Sequence, residues 1–379
     1  MAGPARVAVV APGTGLLREE GTMLRLGALM ALQEVRQQEP GLQVEVVVQE
    51  SQCSAQGAVP IARRLAADAS VRAVVGYLCA EAVGAVLPIY REANLAIVNP
   101  TISAEYLQKD ERSNLFPLLY GDGEQAAFLA AYIRTGLGYS RTAVLSDGSA
   151  YGRVLEDAFL LEAEEQGLEM VANVALGLSA VDAARAVQLL LAARPEAIFL
   201  ATNTEAARLF LLEKYRQQLG GEVLGSDRLA TMEFYEMVGQ AAEGLLMCQP
   251  VLFGEDSEET GRFARKFEHI HKRRPDWIAA GGYDAMRLVL EVLKRSGADR
   301  SGTLQALEAI SGPEKAFGAL SGPVYFTEDG TSRRPIYVGT VRRGSFRAAS
   351  PPTVEFLSPP NLLRRHLDRA SGSSQAVGR

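Results

Sequence analysis

Histidine, clustered basic charge and long apolar runs are scarce in this chain, and each scarcity excludes a class of function. The histidines, His269, His271 and His366, lie in helix-like or tail segments away from the predicted strand ends, so no histidine-based triad or zinc site forms there. The net charge is -6 and basic clusters are short, which argues against nucleic-acid binding. No apolar run reaches the ~20 residues that cross a bilayer. We therefore predict a protein that is neither an enzyme nor inserted in a membrane.

Nucleotide-binding fingerprints are also incomplete. Gly13-Thr14-Gly15 follows the first predicted strand, but Arg18 stands where a dinucleotide fingerprint needs its third glycine. The chain has no Gly-Lys-Ser/Thr of a phosphate-binding loop. We predict no cofactor, and we interpret the glycine-rich loop as a segment that lines a ligand site.

Apolar runs alternate along the chain with helix-length amphipathic segments. The strand-like runs cover residues 6–11, 42–49, 71–78, 95–98, 142–146, 170–175 and 197–201. Alternation of strands and helices indicates parallel sheets. With 379 residues, of which 47% are hydrophobic, the chain is long enough for two α/β lobes with separate cores.

Three crossovers between the lobes are predicted. Polarity and glycine content rise at 118–123, the amphipathic helices after 247–250 suit covering the first lobe, and 322–335 supplies the third crossover. They predict an N-terminal lobe of residues 1–121 plus 250–330. The C-terminal lobe then comprises residues 122–249 plus 331–357. The remaining tail, 358–379, is rich in serine and glycine at its end, and we expect part of it to be disordered.

Polar residues follow three neighbouring strands of the first series. Glu50 and Cys79 come after the second and third strands, and the Asn99-Pro100-Thr101-Ile102-Ser103 turn follows the fourth. Ligands of parallel sheets bind outside the carboxyl ends of the strands. The sequence therefore predicts a small-molecule site at this edge.

Short motifs of one known family occur in order along the chain. They are Glu50-Ser51-Gln52-Cys53, Gly76-Tyr77-Leu78-Cys79, Asn99-Pro100-Thr101-Ile102-Ser103, Tyr151-Gly152, Gly225-Ser226-Asp227, Gly281-Gly282-Tyr283-Asp284-Ala285 and Gly322-Pro323-Val324-Tyr325-Phe326. Through them, residues 6–341 resemble the periplasmic leucine/isoleucine/valine-binding proteins, which are receptors of ATP-driven (ABC) importers. The resemblance implies a type I periplasmic binding protein: two Rossmann-like lobes, parallel-rich sheets, a three-strand hinge, and a ligand trapped between the lobes on closure.

The resemblance also implies roles for single residues. Ser103 matches a hydroxyl that holds the ligand's carboxylate, Asp227 an acid that pairs with its ammonium, and Tyr151 an aromatic that covers the ligand. The alternatives are a plain turn serine, a surface acid and a helix-start tyrosine. Further candidate ligand-binding residues are Thr101, Tyr120, Asn203 and Tyr283, the last of which could equally be a core residue.

The cysteines are evidence about the cellular compartment in which the protein works. Cys53 and Cys79 match the family's disulfide, with two buried thiols as the alternative, and Cys248 lies in an apolar run as a small hydrophobe. A disulfide persists in an oxidising compartment, whereas no export signal precedes the first strand. We expect a periplasmic protein if a signal was removed, and a cytoplasmic one if Met1 is the native start.

Two departures from the family concern the ligand. Ala80 stands where a second carboxylate-binding hydroxyl is common, and Glu81 adds negative charge beside it. Either Arg18 compensates as an anion partner, or the ligand carries no carboxylate. The leading function is a receptor that delivers an amino-acid-like or amide-like molecule to the membrane permease of an ABC importer. The alternative is a cytoplasmic amide-type sensor that regulates a protein partner.

Overall fold

The computed structural model describes residues 4–103, 105, 114–253, 258–295, 299–320 and 322–351. The chain forms two compact units. The first unit holds the described residues within Met1–Gly121 and Gly254–Pro335, and the second holds those within Asp122–Phe253 and Ile336–Arg379. The chain therefore passes between the units three times. The predicted tail, 358–379, lies outside the described residues.

The first unit begins with a five-stranded parallel sheet and its helices. Its elements are β1 (Ala5–Ala11), α1 (Arg18–Gln38), β2 (Val44–Glu50), α2 (Ala55–Ala67), β3 (Val71–Gly76), α3 (Ala80–Glu92), β4 (Ala96–Asn99) and β5 (Leu115–Pro117). The strand order is β2-β1-β3-β4-β5, and every pairing is parallel. The central strands β1, β3 and β4 are valine-rich and buried, as expected for strands covered by helices on both faces.

The first helix, α1, begins at Arg18, directly after the glycine-rich loop. The Thr22 hydroxyl donates to the Arg18 carbonyl at 2.8 Å from within the helix. Glu19 and Glu20 occupy the first turn, where acidic side chains interact favourably with the helix dipole.

The second unit repeats the alternation of strand and helix. Its elements are α4 (Asp122–Thr135), β6 (Arg141–Ser146), α5 (Ala150–Glu165), β7 (Glu169–Ala175), α6 (Ala180–Ala193), β8 (Ala197–Ala201), α7 (Thr204–Gln217), β9 (Glu222–Gly225), α8 (Met232–Val238) and β10 (Leu246–Gln249). Short 3-10 helices occur at Asp227–Leu229 and Gly239–Ala242.

The chain then returns to the first unit, and finally to the second. The returning elements are α9 (Glu258–His271), α10 (Trp277–Arg295), α11 (Arg300–Glu308), a 3-10 turn (Pro313–Lys315), β11 (Phe317–Ala319), β12 (Gly322–Phe326) and β13 (Ser332–Arg333). In the second unit, β14 (Tyr337–Arg342) and β15 (Ser345–Ala348) complete a sheet of order β15-β14-β10-β9-β8-β6-β7. Among the described strands of this sheet, the pairings of β14 with β10 and with β15 are antiparallel and the others are parallel. The predicted α/β class with parallel-rich sheets is confirmed.

The unit boundaries differ by a few residues from those expected. Residues 331–335 belong to the first unit, because β13 pairs with β12 and the Ser332 hydroxyl donates to the Leu119 carbonyl at 2.9 Å. Residues 250–253 belong to the second unit.

Candidate functional site

In the first unit, the turn after β4 is built around the buried side chain of Asn99. Its amide nitrogen donates to the carbonyls of Gly76 at 2.8 Å and Tyr77 at 2.9 Å. Its amide oxygen accepts from the backbone N–H groups of Thr101 at 2.9 Å and Ile102 at 2.8 Å. Asn99 therefore ties the end of β4 to the end of β3 and fixes the path of the following turn.

Thr101 and Ser103, two predicted ligand residues, lie on this turn. The Thr101 hydroxyl donates to the Tyr77 carbonyl at 3.2 Å, so its proton has a backbone partner and its oxygen remains an acceptor. The Ser103 side chain is buried. The ligand role of Ser103 remains a prediction from the family resemblance.

The start of α3 lies three residues beyond Tyr77 and carries Ala80. Cys79, the residue before the helix, is joined to Cys53 by the predicted disulfide, with 5.4 Å between the Cα atoms. In the described part of the chain, no side-chain hydrogen bond caps the start of α3. Backbone N–H groups at an uncapped helix start suit an acidic or carbonyl group of a ligand. The Glu81 carboxylate accepts from the Ala55 N–H at 3.3 Å, so it contacts the start of α2.

Three other predicted residues of the first unit are placed differently. Arg18 is exposed in the first turn of α1, and Tyr120 is fully buried just before the chain leaves the unit. Tyr283 is buried, and its hydroxyl donates to the Glu34 carboxylate at 2.5 Å. Glu34 lies about 24 Å along α1 from Arg18, at a rise of about 1.5 Å per residue. Tyr283 therefore contributes to the packing between helices, which is the core role that the sequence left open, and its ligand role stays a prediction.

We expect Tyr283→Phe to lower the free energy of unfolding by about 1–2 kcal/mol, because a hydrogen bond to a charged carboxylate is lost. Glu34 keeps its ion pair with Lys266, at 2.6 Å, so the loss is partial. Ligand affinity should not change. Urea unfolding and calorimetric titration of the same variant check both statements, and a tenfold loss of affinity would return Tyr283 to the site.

In the second unit, Tyr151 lies in the first turn of α5, which Ser149 caps at 3.0 Å through the Gly152 N–H. Its hydroxyl donates to the Ser226 hydroxyl at 2.8 Å. The guanidinium carbon of Arg228 lies 3.8 Å from the centre of the Tyr151 ring, which is a cation–π contact. Tyr151 is thus held between the two neighbours of Asp227.

Asp227 is 1% exposed and begins the 3-10 turn after β9. Its N–H donates to the side-chain oxygen of Gln125 at 3.0 Å, and its Oδ1 accepts from the Gln125 amide nitrogen at 3.4 Å. Among the described residues, its Oδ2 has no hydrogen-bond partner. Burial, together with the nearby Asp122 carboxylate, raises the pKa of Asp227 to about 7, against the opposing effect of Arg228. A buried carboxylate with one open oxygen suits a cationic group.

Asn203 acts as a helix cap. Its side-chain oxygen accepts from the Ala206 N–H at 2.9 Å and so caps α7. Its own N–H donates to the Asp147 carboxylate at 2.7 Å, and that carboxylate also accepts from Ser149 at 2.6 Å. Asp147 therefore links the ends of β6 and β8. Because its side-chain oxygen caps the helix, Asn203 has only its side-chain nitrogen left to donate a hydrogen bond to a ligand.

A sequence profile of the family described as periplasmic binding protein matches residues 4–345. The chain belongs to the periplasmic binding protein family. It is 22% identical over 328 residues to the leucine-, isoleucine-, valine-, threonine- and alanine-binding protein of Pseudomonas aeruginosa, an alignment that covers 86% of each chain. Family and fold are thus as the sequence predicts, and the chain is a solute-binding protein rather than an enzyme.

Two solved structures show the same fold. One is the branched-chain amino acid transporter substrate-binding protein of Streptococcus pneumoniae in complex with isoleucine, with a TM-score of 0.80, 20% identity, and coverage of 92% of this chain and 99% of that one. The other is a solute-binding protein of an ABC transporter from R. palustris in complex with benzoate, with a TM-score of 0.74, 19% identity, and coverage of 91% and 95%. Proteins of this fold therefore bind ligands with and without an ammonium group.

Within each unit of this binding protein, the structure brings some predicted residues together. In the first unit, the Thr101 hydroxyl bonds to the carbonyl of Tyr77, three residues before Ala80, and Ser103 lies two residues further along the turn. In the second unit, Tyr151 and Asp227 meet around Ser226. Their binding roles remain predictions.

Sequence reasoning missed three residues that surround Asp227: Asp122, Gln125 and Arg228. Gln125 lies 102 residues before Asp227, so no local pattern joins them. The one available signal is the spacing of Asp122 and Gln125, since residues three apart share a helix face. Both are buried on α4, which is an unusual place for polar side chains.

Cavities within the single units lie elsewhere. A cavity of about 490 Å³ in the second unit is lined by residues before or at the starts of strands, including Tyr139, Glu196, Glu222 and Leu245. A cavity of about 360 Å³ in the first unit is lined by Glu34 and Tyr283. We base the candidate site on chemistry at the carboxyl ends of the strands. In the described part of the chain, no three acidic, histidine or cysteine side chains cluster to hold a metal.

Proposed function

We propose that this chain is the solute-binding receptor of an ABC importer, and that its ligand is small and carries an ammonium group. The observation that carries the proposal is the open Oδ2 of the buried Asp227. An ammonium would supply the partner that this oxygen lacks, through a charge-assisted hydrogen bond.

The first unit carries a second group of candidate donors. The backbone N–H groups at the start of α3 suit a carboxylate or an amide carbonyl, and Ser103 on the nearby turn is the hydroxyl that the family resemblance assigns to a carboxylate. Ala80 has no hydroxyl, and the Thr101 hydroxyl donates to Tyr77, so fewer side-chain donors are available than the family resemblance implies. This set fits an amino acid or its amide. It does not favour one over the other.

Asp227 argues against a ligand like benzoate. An aromatic acid carries no cation, so its binding would leave the buried oxygen of Asp227 unpaired, at a cost of about 1–3 kcal/mol or more. The similar proteins with known ligands include both kinds, amino-acid binders and a benzoate binder. We therefore assign this chain to the amine-bearing kind.

The importer is the proposed partner, by analogy with the transporter proteins that share the fold. None of the described helices has the length and apolar character to cross a membrane. The disulfide between Cys53 and Cys79 fits work in an oxidising compartment such as the periplasm.

A thermal-shift screen tests the proposal, because a ligand that binds the native state raises the apparent melting temperature. The panel comprises the standard amino acids, their amides, acetamide and benzoate. We expect a rise of several degrees with one or more amino acids or amino-acid amides. A rise with acetamide alone would favour the amide-type sensor, and a rise with benzoate alone would contradict the role of Asp227.

We expect the affinity for an amine ligand to depend on pH, because Asp227 must be ionised to pair with it. The pKa of Asp227 is raised to about 7, so the carboxyl is protonated in acid and must lose its proton on binding. Affinity should fall about tenfold per unit below about pH 7 and level off above it.

Calorimetric titration between about pH 5 and pH 8.5 measures this profile. Asp227→Asn is the control, because it removes the titrating group and should flatten the profile. A wild-type profile without slope would contradict the prediction.

A further inference from the structure

Gln125 is a fully buried side chain on α4 whose amide forms hydrogen bonds with Asp122 and Asp227. Its oxygen accepts from the Asp227 N–H at 3.0 Å. Its nitrogen donates to Asp122 Oδ1 at 3.0 Å and to Asp227 Oδ1 at 3.4 Å. A glutamine amide offers one acceptor and two N–H donors, so this arrangement uses all of its groups.

Gln125 therefore determines which carboxylate oxygen of Asp227 stays open to a ligand. Its backbone and its Oδ1 are both held by Gln125, which leaves Oδ2 as the oxygen without a partner among the described residues. The Gln125 nitrogen also lies between the carboxylates of Asp122 and Asp227 and donates to both. A donor in this position reduces the repulsion between two like charges.

We propose that Gln125 is a positioning residue for ligand binding, which aims Asp227 Oδ2 at the ligand's ammonium and screens the Asp227 carboxylate from Asp122. The inference rests on the proposed function, because it concerns the same ammonium site. It adds a specific cause for the pH range in which that site binds an amine.

Four other groups face Asp227 and must be considered. Asp122 on α4 raises the pKa of Asp227, and the adjacent Arg228 lowers it. Tyr151 on α5 and Cys248 on β10 are close enough for the Asp227 charge to raise their own pKa values, and both stay neutral near pH 7. Asp227 is therefore the group of this set whose pKa lies near neutral pH, and Gln125 donates to both Asp227 and Asp122.

Gln125→Glu tests the proposal, because it keeps the shape and the acceptor for the Asp227 N–H but replaces the two donors by negative charge. A like charge at this distance raises the pKa of a carboxyl. We expect the titration midpoint of Asp227 to rise by about one unit or more. A purely structural role would lower the melting temperature and leave the midpoint in place.

The readout is the side-chain ¹³C shift of Asp227 in the ligand-free full chain, followed by NMR against pH. Gln188→Glu is the matched control, because Gln188 is exposed on α6 and donates to Gln217. The titration midpoint of Asp227 in Gln188→Glu should equal that in the wild type. Gln125→Met serves if Gln125→Glu does not fold, and it should also raise the midpoint because the screening donors are lost.

The NMR titration and the thermal-shift screen distinguish failure of the positioning role from failure of the proposed function. An unchanged Asp227 midpoint in Gln125→Glu and Gln125→Met overturns the positioning role, even if an amino acid binds. A shifted midpoint without any thermal shift from the ligand panel overturns the proposed function, and with it the ligand-facing part of the inference. If the midpoint shifts and an amine ligand binds, the affinity of Gln125→Glu for that ligand should be about tenfold below that of the wild type near pH 7. Most of this loss should disappear near pH 9.

Discussion

Replacing Asp227 by Asn is expected to weaken the binding of an amine ligand by about 2–5 kcal/mol, the usual loss when one partner of a buried, hydrogen-bonded charge pair is removed. This corresponds to a loss of affinity between about 30-fold and several thousand-fold. The side chain is 1% exposed, so water does not screen the pair as it would on the surface.

The substitution by Asn changes charge with little change in shape, so Gln125 can still bond to the backbone and to the side-chain oxygen. Calorimetric titration of the wild type and the variant measures the difference. Asp157→Asn is the matched control, because Asp157 is exposed on α5 of the same unit. Equal affinities of wild type and Asp227→Asn would remove Asp227 from the site.

Replacing Cys53 by Ser is expected to destabilise the first unit by about 3–4 kcal/mol under oxidising conditions. The disulfide to Cys79 closes a loop with a sequence separation of 26, and loop-closure entropy gives a stabilisation of about this size. The bridge also fixes the residue before α3, whose start carries candidate donors to a ligand.

Unfolding by urea, with and without a reductant, measures this effect. In reductant, wild type and Cys53→Ser should have nearly the same stability, since neither holds the bridge. Cys248 is a buried free thiol and is unchanged in both proteins, so it does not enter the difference. A variant as stable as the oxidised wild type would contradict the prediction.

The elements of the first sheet could be predicted because their signals are local. Valine-rich runs such as β3 lie between amphipathic helices, and the parallel sheet follows from that alternation. The end of β3 was harder to place. The prediction runs to residue 78, whereas the strand ends at Gly76, whose φ of +123° is open to glycine but rarely to other residues.

The candidate site was predictable only in part. Ser103, Tyr151 and Asp227 follow strands or begin helices, so topology alone brings them to strand ends. The partners of Asp227 were not predictable, because Gln125 and Asp122 come from a helix about a hundred residues earlier. A hydrogen bond over such a separation has no signature in one sequence.

Tyr283 and Asn203 illustrate a second limit. A polar side chain near a candidate site can bond to its own scaffold, as Tyr283 does to Glu34 and Asn203 does to the start of α7. Asparagine before a helix is a common cap, and the sequence around Asn203 permits that interpretation. No sequence pattern shows that Glu34 lies opposite Tyr283, because that contact depends on the packing of α1 against α10.

The most direct test of the account is a calorimetric comparison of two ligands that differ only in the ammonium group. The pair is the amino acid with the largest thermal shift and its desamino acid, which for leucine is 4-methylpentanoate. We predict that the desamino acid binds at least about 30-fold more weakly to the wild type, and that Asp227→Asn removes most of this difference. Equal binding of the two ligands to the wild type would contradict the central claim that Asp227 receives the ligand's ammonium.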